Sequence, residues 1–211
     1  MNLKATSCLL SFILLSILSC NSQTKSIKTG VVGGGCEGCE AIYEYGEKPL
    51  NSMDTLPLFE QNNPKIKITG TVYKKDGQTP AKDVILYIYQ TNRKGVYETH
   101  GQEKGWAKLH GIIRGWVKTD NTGNYTFYTF RPGAYADGSE PEHIHITVKE
   151  PNKNEYYLDD YVFHDDPLLT QKKRDKFNNR GGSGIMKPVM KDGILTIQRD
   201  LILGLNIPDY D

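Results

Sequence analysis

The chain has 211 residues, with 26 Lys+Arg against 25 Asp+Glu and a formal net charge of +1. That balance gives no reason to expect nucleic acid as a partner. With 37% hydrophobic residues, the chain is polar overall but long enough to enclose one real core.

The first twenty residues, "MNLKATSCLLSFILLSILSC", place Lys4 ahead of an apolar run from Leu9 to Leu18, the shape of a secretory signal. The run is too short to span a bilayer, which takes roughly 20 apolar residues. Its ending "ILSC" resembles the lipobox of bacterial lipoproteins, in which cleavage precedes a cysteine that is then acylated. The resemblance makes Cys20 the lipidated mature N-terminus. An ordinary signal cut nearby, or a short buried helix, is the alternative. Both signal readings export the protein. With lipidation it is held in the cell envelope, periplasm-facing or on the outer surface, and touches membrane only through its acyl chains.

Residues 21–60 are rich in Ser, Asn, Gly and Lys and read as a tether followed by an irregular arm. The arm carries Cys36 and Cys39 in "GGGCEGCEAIYEY". A lone C-x-x-C lacks the second pair of a zinc ribbon or finger. In an oxidising compartment a local disulfide is expected, as a structural staple or as a redox-active pair.

Regular structure is expected from about Lys65, within a domain of residues 61–211. "KIKITGTVY" alternates Ile66, Ile68 and Val72 with polar partners, and "DVILYIYQ" does the same with Val84, Leu86 and Ile88, the period of half-buried strands. "KDGQTPAK" between them is turn chemistry. "GWVKTD", the turn "NTGN", "YTFYTF", the turn "RPGAY" and "HIHITV" continue the rhythm. "YYLDDYVF" follows, then a charged helical or irregular stretch, then a last strand pair around "ILTIQRDLILGL". Many short strands with turns at regular intervals predict an all-β, antiparallel β-sandwich with an irregular N-terminal arm.

In "HIHITV" the apolar residues Ile144, Ile146 and Val148 share one face, so His143, His145 and Thr147 take the other. Alpha carbons two residues apart on a strand lie roughly 6.6 Å from each other, so two imidazoles can converge on one ion. Solvated histidines satisfy the same alternation, and the pair by itself leaves both readings open.

Taken together, "ITGTVYKKDGQTPAKDVILYIYQTNRKGVY", "TDNTGNYTFYTFRPGAY" and "PEHIHITV" resemble the intradiol ring-cleavage dioxygenases, in the family's order, over roughly residues 65–170. The first and second of these segments also look like noncatalytic transthyretin-like and carboxypeptidase-regulatory sandwich modules. Such modules do not usually carry the tyrosine of "NRKGVY" together with "HIH". The resemblance implies a non-haem Fe(III) site whose tyrosine ligands match Tyr97 and Tyr135 and whose histidine ligands match His143 and His145. It implies cleavage of a catechol or polyphenol ring by O2 to a muconate-type diacid, with Tyr135 matching the tyrosine that the substrate displaces. Ferric iron, a hard acid, favours anionic oxygen, and a bound metal can hold as phenolate a tyrosine that otherwise ionises only near ~10. The alternative is a noncatalytic sandwich lipoprotein that acts as a binding module, with another metal on the histidines.

The chain departs from the family at three places. Glu140 stands where the family has an arginine three residues before the first histidine, so either another arginine such as Arg93, Arg114 or Arg131 takes over, or substrate and rate differ. The loop "ADGSEPE" between Tyr135 and His143 is short, which predicts an open site. Asp160 falls near the position of a family glutamine.

Overall fold

A computed structural model describes residues 31–211. The signal segment, Cys20 and the first part of the tether lie outside the described residues. No helix among the described residues is long and apolar enough to cross a membrane.

Twelve strands form in chain order: β1 (Met53–Thr55), β2 (Lys65–Tyr73), β3 (Ile85–Gln90), β4 (Arg114–Lys118), β5 (Asn124–Phe130), β6 (His143–Lys149), β7 (Tyr156–Tyr157), β8 (Tyr161–Phe163), β9 (Ile185–Met186), β10 (Val189–Lys191), β11 (Ile194–Gln198) and β12 (Leu201–Ile202). Two single-turn helices, α1 (Ala107–His110) and α2 (Gln171–Arg174), and a 3-10 helix at Cys39–Tyr43 complete the set. One sheet runs β1-β5-β2-β11-β10, with β12 also on β2. The other runs β4-β3-β6-β8-β9, with β7 on β6. The two sheets make the expected all-β sandwich.

The pairings β2–β5, β3–β4 and β3–β6 are antiparallel. The last two strands differ from the expected pair. β11 and β12 do not pair with each other, and each runs parallel to β2, with Leu195 opposite Ile66 and Leu201 opposite Val72. Alternation identifies a strand, but its partner is chosen by contacts distant in sequence.

Ile66, Ile68 and Phe127 of one sheet meet Leu86, Ile88, Ile144, Ile146 and Val148 of the other, all at most 1% exposed. This inter-sheet layer is the main core, and it confirms the parity read for β2, β3 and β6. Each such side chain contributes roughly 1.5–3 kcal/mol on burial.

The arm is more ordered than its composition suggests. Leu56 enters the main core, and Ala41 and Ile42 pack on Tyr87 and Trp116 on the outer face of the second sheet. Its backbone is pinned as well: Trp116 Nε1 donates to the Ala41 carbonyl at 3.3 Å, and Arg114 bonds Glu44 at 2.5 Å. Order therefore begins well before Lys65. The outer face of β3, β4 and β6 carries Tyr87, Trp116 and Thr147, and such a surface needs a cover.

Candidate metal centre

Tyr97 and Tyr135 sit on two loops that touch backbone to backbone. Asn92 accepts from the amides of Lys94 and Val96 through its side chain, which curls the first loop, and Gly95 turns it with φ +73°. The second loop is tied to it by Gly133 N donating to the Asn92 carbonyl at 2.9 Å and by Thr91 Oγ1 donating to the Gly133 carbonyl at 2.8 Å. A β-carbon on Gly95 would stand 1.8 Å from the Ala134 carbonyl oxygen, and one on Gly133 would stand 2.6 Å from that of Arg93. Only glycine allows this approach, and it brings the two phenols together.

His143 and His145 open β6, with His145 directly opposite Tyr89 of β3. Their outer face is largely covered, contrary to the solvated reading of the sequence: His143 is 7% exposed and Thr147 5%, while His145 keeps 25% of its side chain exposed at a cleft that the N-terminal arm borders. Cys39 Sγ reaches to 3.8 Å from Thr147 Oγ1. Cys36 and Cys39 form a disulfide, with their alpha carbons 5.6 Å apart, and Cys36 lines a small cleft that also borders His145 and Asp160.

Tyr97, Tyr135, His143 and His145 all converge. Tyr97 Oη lies 2.9 Å from Tyr135 Oη and 2.8 Å from His145 Nε2, and the two Nε2 atoms are 3.1 Å apart. Donors each about 2.0–2.2 Å from one shared ion stand roughly 3–4 Å from one another, so the spacing suits a single metal.

Proton positions argue the same way. Nδ1 of His143 is 2.7 Å from the Pro141 carbonyl, and Nδ1 of His145 is 3.2 Å from Asp160 Oδ1. Both partners are acceptors, so each Nδ1 carries the hydrogen and both Nε2 atoms present lone pairs to each other. Burial, followed by the neighbouring His145, pushes the His143 imidazole below its ordinary range and keeps it neutral. Burial, then the hydrogen bond with Tyr135, pushes the Tyr97 phenol far up. A buried phenol of this kind ionises only against a strong local positive charge. Two facing nitrogen lone pairs and two adjoining phenol oxygens thus fit a cation of high charge.

Further residues shape the site. Tyr89 stacks on His145 with ring centroids 4.3 Å apart, and His110 lies flat on the far side of Tyr89 at 3.8 Å. Tyr87 Oη in turn meets Nδ1 of His110 at 2.9 Å. The signal for Tyr87 and Tyr89 was parity, since in "DVILYIYQ" they take the face opposite Leu86 and Ile88. Asp160, which falls near the position of the family glutamine, is another. Burial alone would push its carboxyl up, but the nearby histidines and Arg199 outweigh that and hold it below the usual carboxylate range.

None of the three candidate arginines faces the candidate site. Arg131 is spent on Glu142 and Asp165, Arg93 contacts Glu142 and the carbonyls of Arg131 and Pro132, and Arg114 pairs with Glu44. Each carboxylate captures a guanidinium that the sequence left free to choose. The cations beside the site are lysines. A cleft of about 340 Å³ reaches Tyr135 and His143 and is walled by Lys173, Lys176 and Phe177, from α2 and the turn after it. A second opening of about 270 Å³ borders Tyr97, Tyr135 and His145 from the side of Trp106 and Leu109.

No family model matches the chain. In sequence it is similar to the protocatechuate 3,4-dioxygenase beta chain of Burkholderia cepacia, with 29% identity over 138 residues. The match covers 59% of this chain and 58% of that protein's length. Among solved structures, the dioxygenase domain of a dioxygenase carbohydrate-binding protein fusion from the cellulolytic bacterium Streptomyces sp. SirexAA-E superposes with a TM-score of 0.55 at 19% identity, over 75% of this chain and 90% of that one. Catechol 1,2-dioxygenase from Acinetobacter sp. ADP1 gives 0.55 at 17% identity, over 73% of this chain and 58% of that one. The fold is that of the intradiol ring-cleavage dioxygenases. Hydroxyquinol 1,2-dioxygenase from Pseudomonas putida DLL-E4, at a TM-score of 0.52 and 19% identity over 74% of this chain and 62% of that one, shares it.

Proposed function

We propose that this protein holds one non-haem ferric ion on Tyr97, Tyr135, His143 and His145, and cleaves a catechol-type ring between its two hydroxyl-bearing carbons. Both atoms of O2 enter the product, a muconate-type diacid. The observation that carries the reading is the meeting of two phenol oxygens and two imidazole nitrogens at 2.8–3.1 Å. Ferric iron, when bound, supplies a Lewis acid that binds a diol as its dianion and makes the ring electron density available to O2.

The chain's own residues hold and orient. The Pro141 carbonyl and the Asp160 carboxylate keep hydrogens on the Nδ1 atoms, so that both Nε2 atoms stay free to ligate. Tyr97, flanked by Tyr135 and His145, borders only the second opening. Of the two phenols only Tyr135 borders both openings, so its Oη is the phenol oxygen placed to take a proton from an entering diol. Arm and aromatic stack keep water from the back of the histidines. We also propose that the chain is exported and anchored through a lipidated Cys20, on the strength of the lipobox-like "ILSC".

A second reading rests on Asp160. Donor atoms of His143, His145 and Asp160 lie within 4.8 Å of one another, a set that would also suit zinc in a noncatalytic sandwich. Metal analysis and a visible spectrum of the purified protein separate the two. Ferric iron bound by tyrosinate gives a red-brown charge-transfer band, shifted in Tyr97→Phe or Tyr135→Phe, and O2 uptake follows addition of a catechol. A protein that stays colourless after ferric reconstitution and binds zinc instead rules the dioxygenase reading out.

A further inference from the structure

The Cys36–Cys39 disulfide lies over the back of His145. A cleft of about 230 Å³ has Gly35, Cys36 and Glu37 on one wall and Tyr89, His145 and Asp160 on the other, so the disulfide loop shelters the bond between Asp160 and Nδ1 of His145. The loop is anchored at both ends. Upstream, Gly33 N donates to the Pro208 carbonyl at 2.7 Å, and a β-carbon on Gly33 would stand 2.5 Å from that of Tyr156. Downstream, Cys39 is 2% exposed and opens the 3-10 helix whose Ala41 and Ile42 are fully buried. Between the anchors, β-carbons on Gly34 and Gly35 would meet nothing within 4 Å, and Glu37 is exposed. Among the described residues, no backbone–backbone hydrogen bond reaches Gly35, Cys36 or Glu37. The disulfide is therefore the main restraint on this short stretch.

We propose that Cys36–Cys39 is a thiol-exchange site: a dithiol opens it, frees residues 34–37, and thereby loosens the hold of His145 on a bound metal. This rests on the metal centre proposed above and not on the ring chemistry. The two sulfurs differ in access. Cys36 is half-buried at the cleft, whereas Cys39 is enclosed with its Sγ 3.8 Å from Thr147 Oγ1, so an entering thiolate attacks Cys36. The thiolate sulfur bonds to Cys36 Sγ as the disulfide breaks, and Cys39 leaves as a thiolate that takes a proton. The reductant's second thiol then displaces Cys36 from the mixed disulfide. Two electrons and two protons pass from the dithiol to the protein, and the dithiol departs as a disulfide. With the loop freed, water reaches the Asp160–His145 bond and weakens a charge-assisted contact that the sheltered, low-dielectric cleft had strengthened. The buried anchors keep the rest of the fold in place.

The test follows metal release. The metal-free full chain is reduced with dithiothreitol, desalted without O2, and loaded with gallium(III), a redox-inert ion of ferric charge, or in parallel with zinc. Excess chelator is then added. Mass spectrometry of the peptide carrying both cysteines, after maleimide labelling, gives the redox state of each sample. The reduced protein should release the ion about tenfold faster than the oxidised one, the size typical when a ligand loses its outer partner. Reoxidation with oxidised glutathione should restore the slow rate, and Cys36→Ser should be fast with or without dithiothreitol. Amide hydrogen exchange over residues 34–37 should rise on reduction while β2, β3 and β6 are unchanged.

Equal release rates in the oxidised and reduced protein for both ions, a Cys36→Ser variant as slow as the oxidised wild type, or a disulfide that dithiothreitol leaves intact in the folded chain overturns the proposal even if catechols are cleaved. Exchange that rises throughout the sheets marks general loosening and overturns it too. A protein that binds neither ion overturns it together with the metal centre. Conversely, redox-dependent release of zinc from a protein that gives no ferric tyrosinate band and consumes no O2 with any catechol upholds the clasp and overturns the dioxygenase reading.

Discussion

The Asp160 carboxylate lies 3.2 Å from Nδ1 of His145, on the side of the imidazole away from Tyr97 and His143. The bond fixes both the tautomer and the tilt of the ring. Partners of this kind are typically worth 10–100-fold in metal affinity. Asp160→Asn should therefore weaken iron binding about tenfold, since the amide oxygen still accepts but the charge is gone. Asp160→Ala should weaken it further. Competition against a ferric chelator measures both, and unchanged affinity in Asp160→Ala would remove Asp160 from the metal centre.

Gly95→Ala tests how the two tyrosine loops meet. The added β-carbon meets a carbonyl oxygen at 1.8 Å in a residue with φ +73°, so the loops must part. The variant should lose about 2 kcal/mol or more of stability. Reconstituted with iron, it should also show a weakened tyrosinate band, because Tyr97 and Tyr135 are carried by those loops. Urea unfolding followed by visible spectroscopy checks both halves.

His110 should make stability depend on pH. Burial first, then the charges of His145 and Arg114, lowers its folded value from 6.5 to about 4. Between those values the unfolded chain binds the extra proton, so stability falls as pH drops from about 6.5 to about 4 and is unaffected by this group above that window. His110→Gln should flatten the slope of unfolding free energy against pH there. An identical slope in the variant would assign the dependence to other groups.

Ile42 belongs to the part of the chain that composition marked as an arm. It is fully buried against Tyr87 and Trp116, and Tyr87 stacks on Tyr89, which backs His145. Ile42→Ala should cost about 2–5 kcal/mol, as a core truncation does. A surface arm would lose within about 0.5 kcal/mol, and chemical denaturation distinguishes the two.

Alternation along the chain was enough to determine the inward faces of β2, β3 and β6 and to set His143 and His145 apart from the core. Parity is local, and each strand carries it unaided. Resemblance to the dioxygenases supplied Tyr97 and Tyr135, which no periodicity marks. Only the tertiary structure decided what covers the histidine face, because the arm that does so is distant in sequence and irregular in pattern. The same holds for the parallel partners of β11 and β12, for Asp160 behind His145, and for the pairing that withdraws Arg93, Arg114 and Arg131. Each of these is a contact between segments far apart in the chain, settled by which polar group meets which once the sheets have packed.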